Sequence, residues 1–408
     1  MKKITIILIV CLGFSCKKER PSVEPDMEAN PAISATMTAL PAAAVKGSLN
    51  VKDQGAKGDG RTDDTKAIRN ALIYAKAHGI TSIYFPDGSY MVAELGNKGG
   101  IIKLVNGVGM QGNGPATCHI KLTGNRYNPN SIFYQDYQGE PSISNIVIQG
   151  IDFNGSSQNQ KFDASYQFGH ALSINNGKNI EVKNCKFENL RGDGLLFGDT
   201  FEPTLNARIV TNVSVHDSEF FNIYREGTMF SCVNGATFYN NNVHGNGYLV
   251  AGVDIERHSA NETVLNVSVN SNNINSPMGN GVSFKNYSKI IAKANTITGT
   301  PLDGINIIGT SGVFDANTIS DAGTTTKNAS GIMISGNASG LIVSNNQAAN
   351  TKTGASRTMD YTIKISSANN GAVAPKITNN KGKNMLKGIV SIYYYQAGYA
   401  VLTNNTAG

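Results

Sequence analysis

Asp193, Glu226, Ala251, Asn280 and Asp303 each stand immediately before a glycine, at Gly194, Gly227, Gly252, Gly281 and Gly304. Each glycine opens a short strand: Leu195-Leu196-Phe197, Thr228-Met229-Phe230, Val253-Asp254-Ile255, Val282-Ser283-Phe284 and Ile305-Asn306-Ile307. The first and third positions are mostly apolar and the middle one varies, as in strands with one buried face. Stacked in register, the residues before the glycines form a column. Asp193 and Glu226 then sit about 5 Å apart, with Asp303 three coils beyond Glu226. Asp254, Ser283 and Asn306 form a middle column, and Glu256 and Lys285 a third. His170 starts the first column, with Leu172 and Ile174 turned inward. Arg191, Arg225, Arg257 and His258 flank the acids.

Carboxylates stacked on one surface repel, which raises at least one pKa and suits a general acid. Hydrolysis of a glycosidic bond needs two carboxyls, close together for retention or wider apart for inversion. Elimination beside a uronate carboxyl needs a cation on that carboxyl and a base for the C5 proton; Lys285, Arg257, His258 and Arg225 are available for those parts. The catalytic candidates are Asp193, Glu226, Asp254, Glu256 and Asp303. The substrate-binding candidates are His170, Arg191, Arg225, Arg257, His258, Lys285 and Asn306. Outward polar residues are ordinary on such a surface, and pairs such as Arg225 beside Glu226 contribute little to stability. Yet the acids concentrate in five coils and are missing from the equivalent strands Ile332 to Ile334 and Ile389 to Ser391. Asp199 and Glu202, in the loop after the first strand, are secondary candidates.

The chain has 408 residues, 44 of them glycine and none tryptophan, and asparagine recurs in pairs. Helix formers thin out after about residue 80, so the pattern is all-β with many tight turns. The net charge is +6. That balance permits an acidic polymer as partner, but no basic cluster interleaved with aromatics marks a nucleic-acid footprint. Of five cysteines, Cys11 and Cys16 lie in the leader. Cys118, Cys185 and Cys232 are well separated, which argues against a disulfide framework, and no Cys/His spacing suggests zinc.

Lys2 and Lys3 precede an apolar run, Ile4 to Phe14, too short to span a bilayer as a mature helix. Residues 1–15 read as a signal peptide. Leu12-Gly13-Phe14-Ser15-Cys16 resembles a bacterial lipoprotein box, with Cys16 the lipidated residue, and Lys17-Lys18 resembles lipoproteins of the Bacteroidetes type. This implies an exported protein anchored by acyl chains in the inner or outer membrane, at the cell surface or in the periplasm. Residues 16–47, rich in Pro, Ala, Ser, Glu and Thr, are expected to form a disordered tether.

Val51 to Gly60 is rich in turn residues. Thr62, Asp63 and Asp64 offer oxygens to free amides at a helix start. Ala67, Ile68, Ala71, Leu72 and Ala75 follow at helical spacing, Gly79 ends the helix, and Ile83 to Tyr90 is a strand running into a turn. This segment resembles the N-terminal region of the pectate-lyase superfamily, the rhamnogalacturonase and epimerase-like pectate lyase domain. The resemblance implies a single-stranded right-handed parallel β-helix over residues 48–408, with a capping helix at about 63–78. A solenoid's first coil exposes core and strand edges unless covered, so the acids here are read as turn and cap residues.

A second pattern supports the solenoid. Apolar or small residues recur at Phe153, Phe187, Phe220, Val243, Ile274, Ile297, Ile319, Ala348, Gly382 and Ala407. Their spacing never falls below about 22 residues and varies above that, as for coils of fixed cross-section with inserted loops. About ten or more coils are expected. Asn241-Asn242, Asn272-Asn273, Asn345-Asn346, Asn379-Asn380 and Asn404-Asn405 fit turns, where asparagine tolerates the left-handed conformation. Stacked, they would form a ladder of amides. Cys185 takes such a turn position as a small filler. Tyr393, Tyr394, Tyr395 and Tyr399 are candidates to shield the last coil.

The family's pectin-cleaving hydrolases carry an Asn-Thr-Asp, Asp-Asp, Gly-His-Gly and Arg-Ile-Lys set, and the alginate epimerases an Asp-Pro-His-Glu motif. Neither is intact here, so no catalytic residue is carried over, and fold alone does not give function. The leading expectation is an enzyme that hydrolyses an acidic, uronate-containing, pectin-like polysaccharide, with Glu226 or Asp254 as general acid and no cofactor. The alternatives are a lyase acting by β-elimination, for which Ca2+ would be the added cofactor, and a non-catalytic glycan binder or adhesin of the tailspike type.

Overall fold

A computed structural model describes residues 47–93, 100–123, 131–135, 141–160, 168–198, 209–245, 251–257, 262–275, 279–285, 288–325, 328–367, 373–392 and 400–408. The leader, Cys16, the tether and the four C-terminal tyrosines lie outside them. Short strands wind into three parallel sheets of 13, 13 and 11 strands. In each sheet the neighbouring strands come from successive coils, which makes the molecule a right-handed parallel β-helix. The ten recurring positions are the register of the second sheet: Phe153 pairs with Phe187, Phe187 with Phe220, and so on through Gly382 with Ala407.

The capping helix, α1, spans Thr65–Ala77 and buries Ile68, Ala71, Leu72 and Ala75. Among the described residues it occupies the chain position that third-sheet strands take in later coils. The acids before it divide the work. Asp63 Oδ1 accepts the Thr65 amide at 3.0 Å, at the helix start. Asp64 instead accepts the amides of Lys57 and Gly58 at 2.7 and 3.0 Å, closing the turn behind it. Thr62 does not cap: its amide and hydroxyl both bond Asp59. Asp59–Asp63 is a strand rather than only a turn, because the first strand of the second sheet can pair with Gly88–Val92.

The glycine column marks a corner. A Cβ at Gly252 would lie 2.5 Å from Ile274 Cγ2 and 2.7 Å from the Gly281 carbonyl. Gly252 therefore faces inward, as does Val253 after it, and Ala251 and Asp254 on either side both face out. The column continues to Gly331 opposite Ala348, and one coil on the sizes exchange, with Thr362 facing Gly382. Aromatic rings stack along the core, with Phe153, Phe187 and Phe220 centroids 5.2 and 5.0 Å apart.

The asparagines at the corner between the first and second sheets have two distinct jobs. Asn240, Asn345, Asn379 and Asn404 hold left-handed backbone, near φ +55°, where Ser271, Ala294 and Ala316 stand in other coils. The residue that follows each builds the ladder. Asn241, Asn272, Asn295, Asn317, Asn346 and Asn380 each give their amide N–H and side-chain NH2 to the next coil's Asn Oδ1. Cys185 holds this ladder position in its own coil, its amide donating to Ser218 Oγ. Burial pushes its thiol, and that of Cys118, up to about 12, so both are inert.

Candidate active site on the third sheet

The corner at the glycine column fixes where side chains can meet. Leu172 pairs with Leu195, Leu195 with Thr228, Glu226 with Ala251, Ala251 with Asn280, and Val282 with Ile305. His170, Asp193 and Glu226 therefore stack on three consecutive coils, followed by Ala251, Asn280 and Asp303. One column over, Met229, Asp254, Ser283 and Asn306 stack, and Glu256 lies against Lys285.

Asp193 is fully buried, and its carboxylate is held from three sides. Oδ1 accepts the Glu226 amide at 3.1 Å. Oδ2 lies 3.0 Å from His170 Nδ1 and 3.5 Å from Arg225 Nη1. The Asp193 amide also donates to His170 Nδ1 at 3.0 Å, so that nitrogen sits between both groups of one residue. Arg225 Nη2 reaches Glu226 Oε2 at 3.3 Å, bridging the two acids. Burial pushes the Glu226 carboxyl well above the ordinary range, and the charge of Asp193 and a hydrogen bond to it push the same way. Asp193 Oδ2 and Glu226 Oε2 are buried and held by Arg225 through charge at ion-pair distance rather than through a hydrogen bond. Glu226 is therefore held toward its neutral form beside Asp193.

Asp254 forms the second half of the cluster. Lys285 Nζ lies 3.3 Å from its Oδ2 and 2.5 Å from Glu256 Oε2. Burial pushes Asp254 up to about 7; Lys285 pulls it down, while Glu226 and Glu256 push it up. Burial weakens the charge on Lys285, but Asp254 and Glu256 outweigh that and raise its ammonium above the usual value. Four carboxyls thus face two cations. The Asp254 and Glu226 side chains are 3 % exposed, whereas Glu256 is 32 %, Lys285 26 % and Arg225 18 % exposed. Solvent meets the cluster at Glu256, Lys285 and Arg225, with the two perturbed acids beneath. The stacked acids are therefore not an open outer face, because register decides which column a side chain joins and not what packs over it.

Several sequence candidates fall elsewhere. Asp303 shares the first column but lies three coils from Glu226, about 14 Å away. There its Oδ1 accepts the Ser330 amide at 2.7 Å, and burial pushes it up to about 6. Arg191 donates to the Ser157 carbonyl at 2.6 Å. Asn306 is two coils from Asp254. Arg257 follows Glu256 and is half-buried. His258, Asp199 and Glu202 lie outside the described residues. Ser283 was legible only as a member of the middle column; it is buried directly against Asp254 in register.

The described residues of this cluster do not suit calcium. Among the described residues no three metal-ligating side chains converge. The carboxyls here lie against Arg225 and Lys285, whereas Ca2+ takes six to eight oxygens, ionised carboxylates among them.

The family model described as Rhamnogalacturonase A/epimerase, pectate lyase-like, matches residues 48–273, more than half of the chain. Alginate lyase 7 of Azotobacter vinelandii is 32% identical over 210 residues, covering 48% of this chain and 22% of that protein. Mannuronan C5-epimerase AlgE4 of the same bacterium is 28% identical over 199 residues, covering 48% of this chain and 35% of that protein. The chain therefore matches about a third or less of the length of these curated relatives. The solved A-module of mannuronan C-5 epimerase AlgE6 from Azotobacter vinelandii superposes with a TM-score of 0.64 at 18% identity. That superposition covers 88% of this chain and 99% of the module, a likeness of fold. On the strength of the family match, the chain belongs to the rhamnogalacturonase A/epimerase, pectate lyase-like family.

Proposed function

We propose that this chain is a polysaccharide-cleaving enzyme, with Asp193, Glu226, Asp254 and Lys285 as its reaction centre, and that it hydrolyses its substrate. The observation that carries this reading is the stacking of Asp193 and Glu226 on adjacent coils, with burial holding Glu226 toward its neutral form beside a third carboxyl, Asp254, pushed up to about 7. Glycosidic hydrolysis needs one carboxyl protonated and another able to accept a proton at the same pH. Glu226 is the general acid and gives its proton to the departing oxygen. Asp193, held by Arg225 beside His170, carries the negative charge that keeps that proton on Glu226. Asp254 is the base, and Glu256, Lys285 and Arg225 form the edge that meets the sugar.

The relatives named as mannuronan epimerases and an alginate lyase support an acidic, uronate-containing glycan as substrate. They also favour a second reading, β-elimination, in which Arg225 and Lys285 neutralise the uronate carboxylate and a neighbouring base removes the C5 proton. Incubation with a panel of uronate polymers separates the two. Hydrolysis gives new reducing ends alone; elimination gives ends that absorb in the ultraviolet. Glu226→Gln is expected to lower turnover about 10²-fold or more. Binding that persists in Glu226→Gln and Asp254→Asn, with no product ever released by the parent protein, would replace both readings with that of a glycan binder.

The leader supports a place for this chemistry. We propose that the chain is exported and held at the cell surface or in the periplasm by acyl chains on Cys16. Incorporation of labelled palmitate by the parent chain and not by Cys16→Ser is the expected result; equal labelling of both removes the anchor.

A further inference from the structure

Asp254 and Ser283 stand opposite each other on neighbouring coils, in direct register, and both are 2 % exposed. Each alternates with core residues, Val253 and Ile255 on one strand and Val282 and Phe284 on the next, so both side chains leave the sheet on the outer side. Lys285 holds only Oδ2 of Asp254. Asp254 Oδ1 and Ser283 Oγ are buried and make no hydrogen bond. A buried polar atom without a partner costs about 1–3 kcal/mol, and such atoms cluster where a bound molecule completes the network. The pair Asp315 and Ser344, in the same register elsewhere, closes with a direct bond of 2.7 Å; Asp254 Oδ1 and Ser283 Oγ do not bond each other, which leaves both free to hold one bridging water.

We propose that Ser283 Oγ and Asp254 Oδ1 hold the water that attacks the sugar, which makes Ser283 a positioning residue for hydrolysis. The inference rests on the hydrolytic reading above. In the step, the water oxygen bonds the anomeric carbon as the carbon–oxygen bond to the leaving group breaks. Asp254 takes one proton of the water, Glu226 gives its proton to the leaving oxygen, and Ser283 accepts a hydrogen bond from the proton the water keeps. Ser283 orients the water in this way and loses no proton itself. The groups facing Asp254 are Glu226 on the preceding strand, Glu256 on its own and Lys285 on the next. Glu226 and Asp254 are one coil and three residues apart, about 10 Å at the backbone. A base that acts through a water, rather than by attacking the sugar itself, is the arrangement of an inverting enzyme.

The test uses the full chain with Ser283→Ala and Ser283→Thr. Ser283→Ala is expected to lower kcat about 10²-fold with KM within about twofold, and to leave the melting temperature unchanged. Ser283→Thr keeps the hydroxyl and recovers most of the rate, and the first product formed has the inverted anomeric configuration by NMR. A crystal structure of the parent protein without substrate shows an ordered water bonded to Asp254 Oδ1 and Ser283 Oγ, and the alanine variant lacks it. Parental kcat in Ser283→Ala, or no such water in the parent, overturns the inference. Unsaturated products from the parent would instead remove the hydrolytic reading, and the catalytic role of the water with it; the crystallographic result still decides whether the two residues hold one.

Discussion

Replacing Asp254 by Asn should make the protein more stable at neutral pH and leave it nearly unchanged in acid. In the folded chain Asp254 titrates at about 7, against an ordinary 3.8. Below about pH 4 the carboxyl is neutral in both folded and unfolded chains, so its burial has little electrostatic cost. As the pH rises from about 4 to 7, the unfolded chain releases this proton and the folded chain retains it. Stability then falls by about 1.4 kcal/mol for each pH unit, and levels off once the folded chain ionises too. Over about three units the loss is roughly 4 kcal/mol. Asparagine has nearly the same shape and no proton to lose, and Lys285 keeps Glu256 as its partner. The stabilities of the parent and Asp254→Asn should therefore agree at pH 4 and separate by roughly 4 kcal/mol in favour of the variant at pH 8. Urea denaturation across that range measures the global difference. Hydrogen exchange at Ile255 and Phe284 reports the same change locally, which matters in a solenoid whose coils open in units. A variant no more stable than the parent at pH 8, or already more stable at pH 4, would show that Asp254 does not sit against its ordinary preference. The expected gain goes with loss of turnover, since the acid held at this cost is the one assigned to the reaction.

Other consequences follow from the corners of the solenoid. Asn295→Ala strips the Asn272 amide and the Val269 carbonyl of buried partners and should cost about 2–5 kcal/mol by urea unfolding. Asn295→Ser should recover part of it, because Ser218 accepts the same kind of amide bond one end of the ladder away. Gly252→Ala forces a methyl toward Ile274 and the Gly281 carbonyl and should lower stability by about 1–3 kcal/mol; an unchanged melting temperature would mean the coils separate freely. Ala294 holds left-handed backbone at φ +54°, so Ala294→Asn, the residue other coils use there, should raise stability by about 1 kcal/mol. A fall in the melting temperature of that variant would refute the strain.

The register was legible because two unrelated constraints recur at the same places. The glycines before each third-sheet strand exist because a Cβ would enter the next coil's carbonyl and an apolar side chain. The apolar residues they face, Val243, Ile274, Ile297 and Ile319, are the repeat itself. Asparagine was harder to parse, since one corner uses it twice for different reasons: left-handed backbone at Asn240, amide stacking at Asn241. Ala294 and Ala316 show that only the second use resists substitution in these coils. Column membership is a one-dimensional fact, and it grouped Asp303 with Glu226 although three coils separate them. Burial and hydrogen-bond satisfaction are three-dimensional, so the raised Glu226 beside Asp193 and the unpartnered oxygens of Asp254 and Ser283 left no mark in the sequence beyond their column. Composition misled in one further respect. The chain as a whole carries +6, yet at the site four carboxyls face two cations. A solenoid allows this because residues 33 positions apart, such as Asp193 and Glu226, become nearest neighbours on adjacent coils. The long-range pull of the net charge and the short-range contacts at the acidic corner are thus independent properties. Added salt should weaken the first by screening and leave the second, buried and short-ranged, nearly untouched.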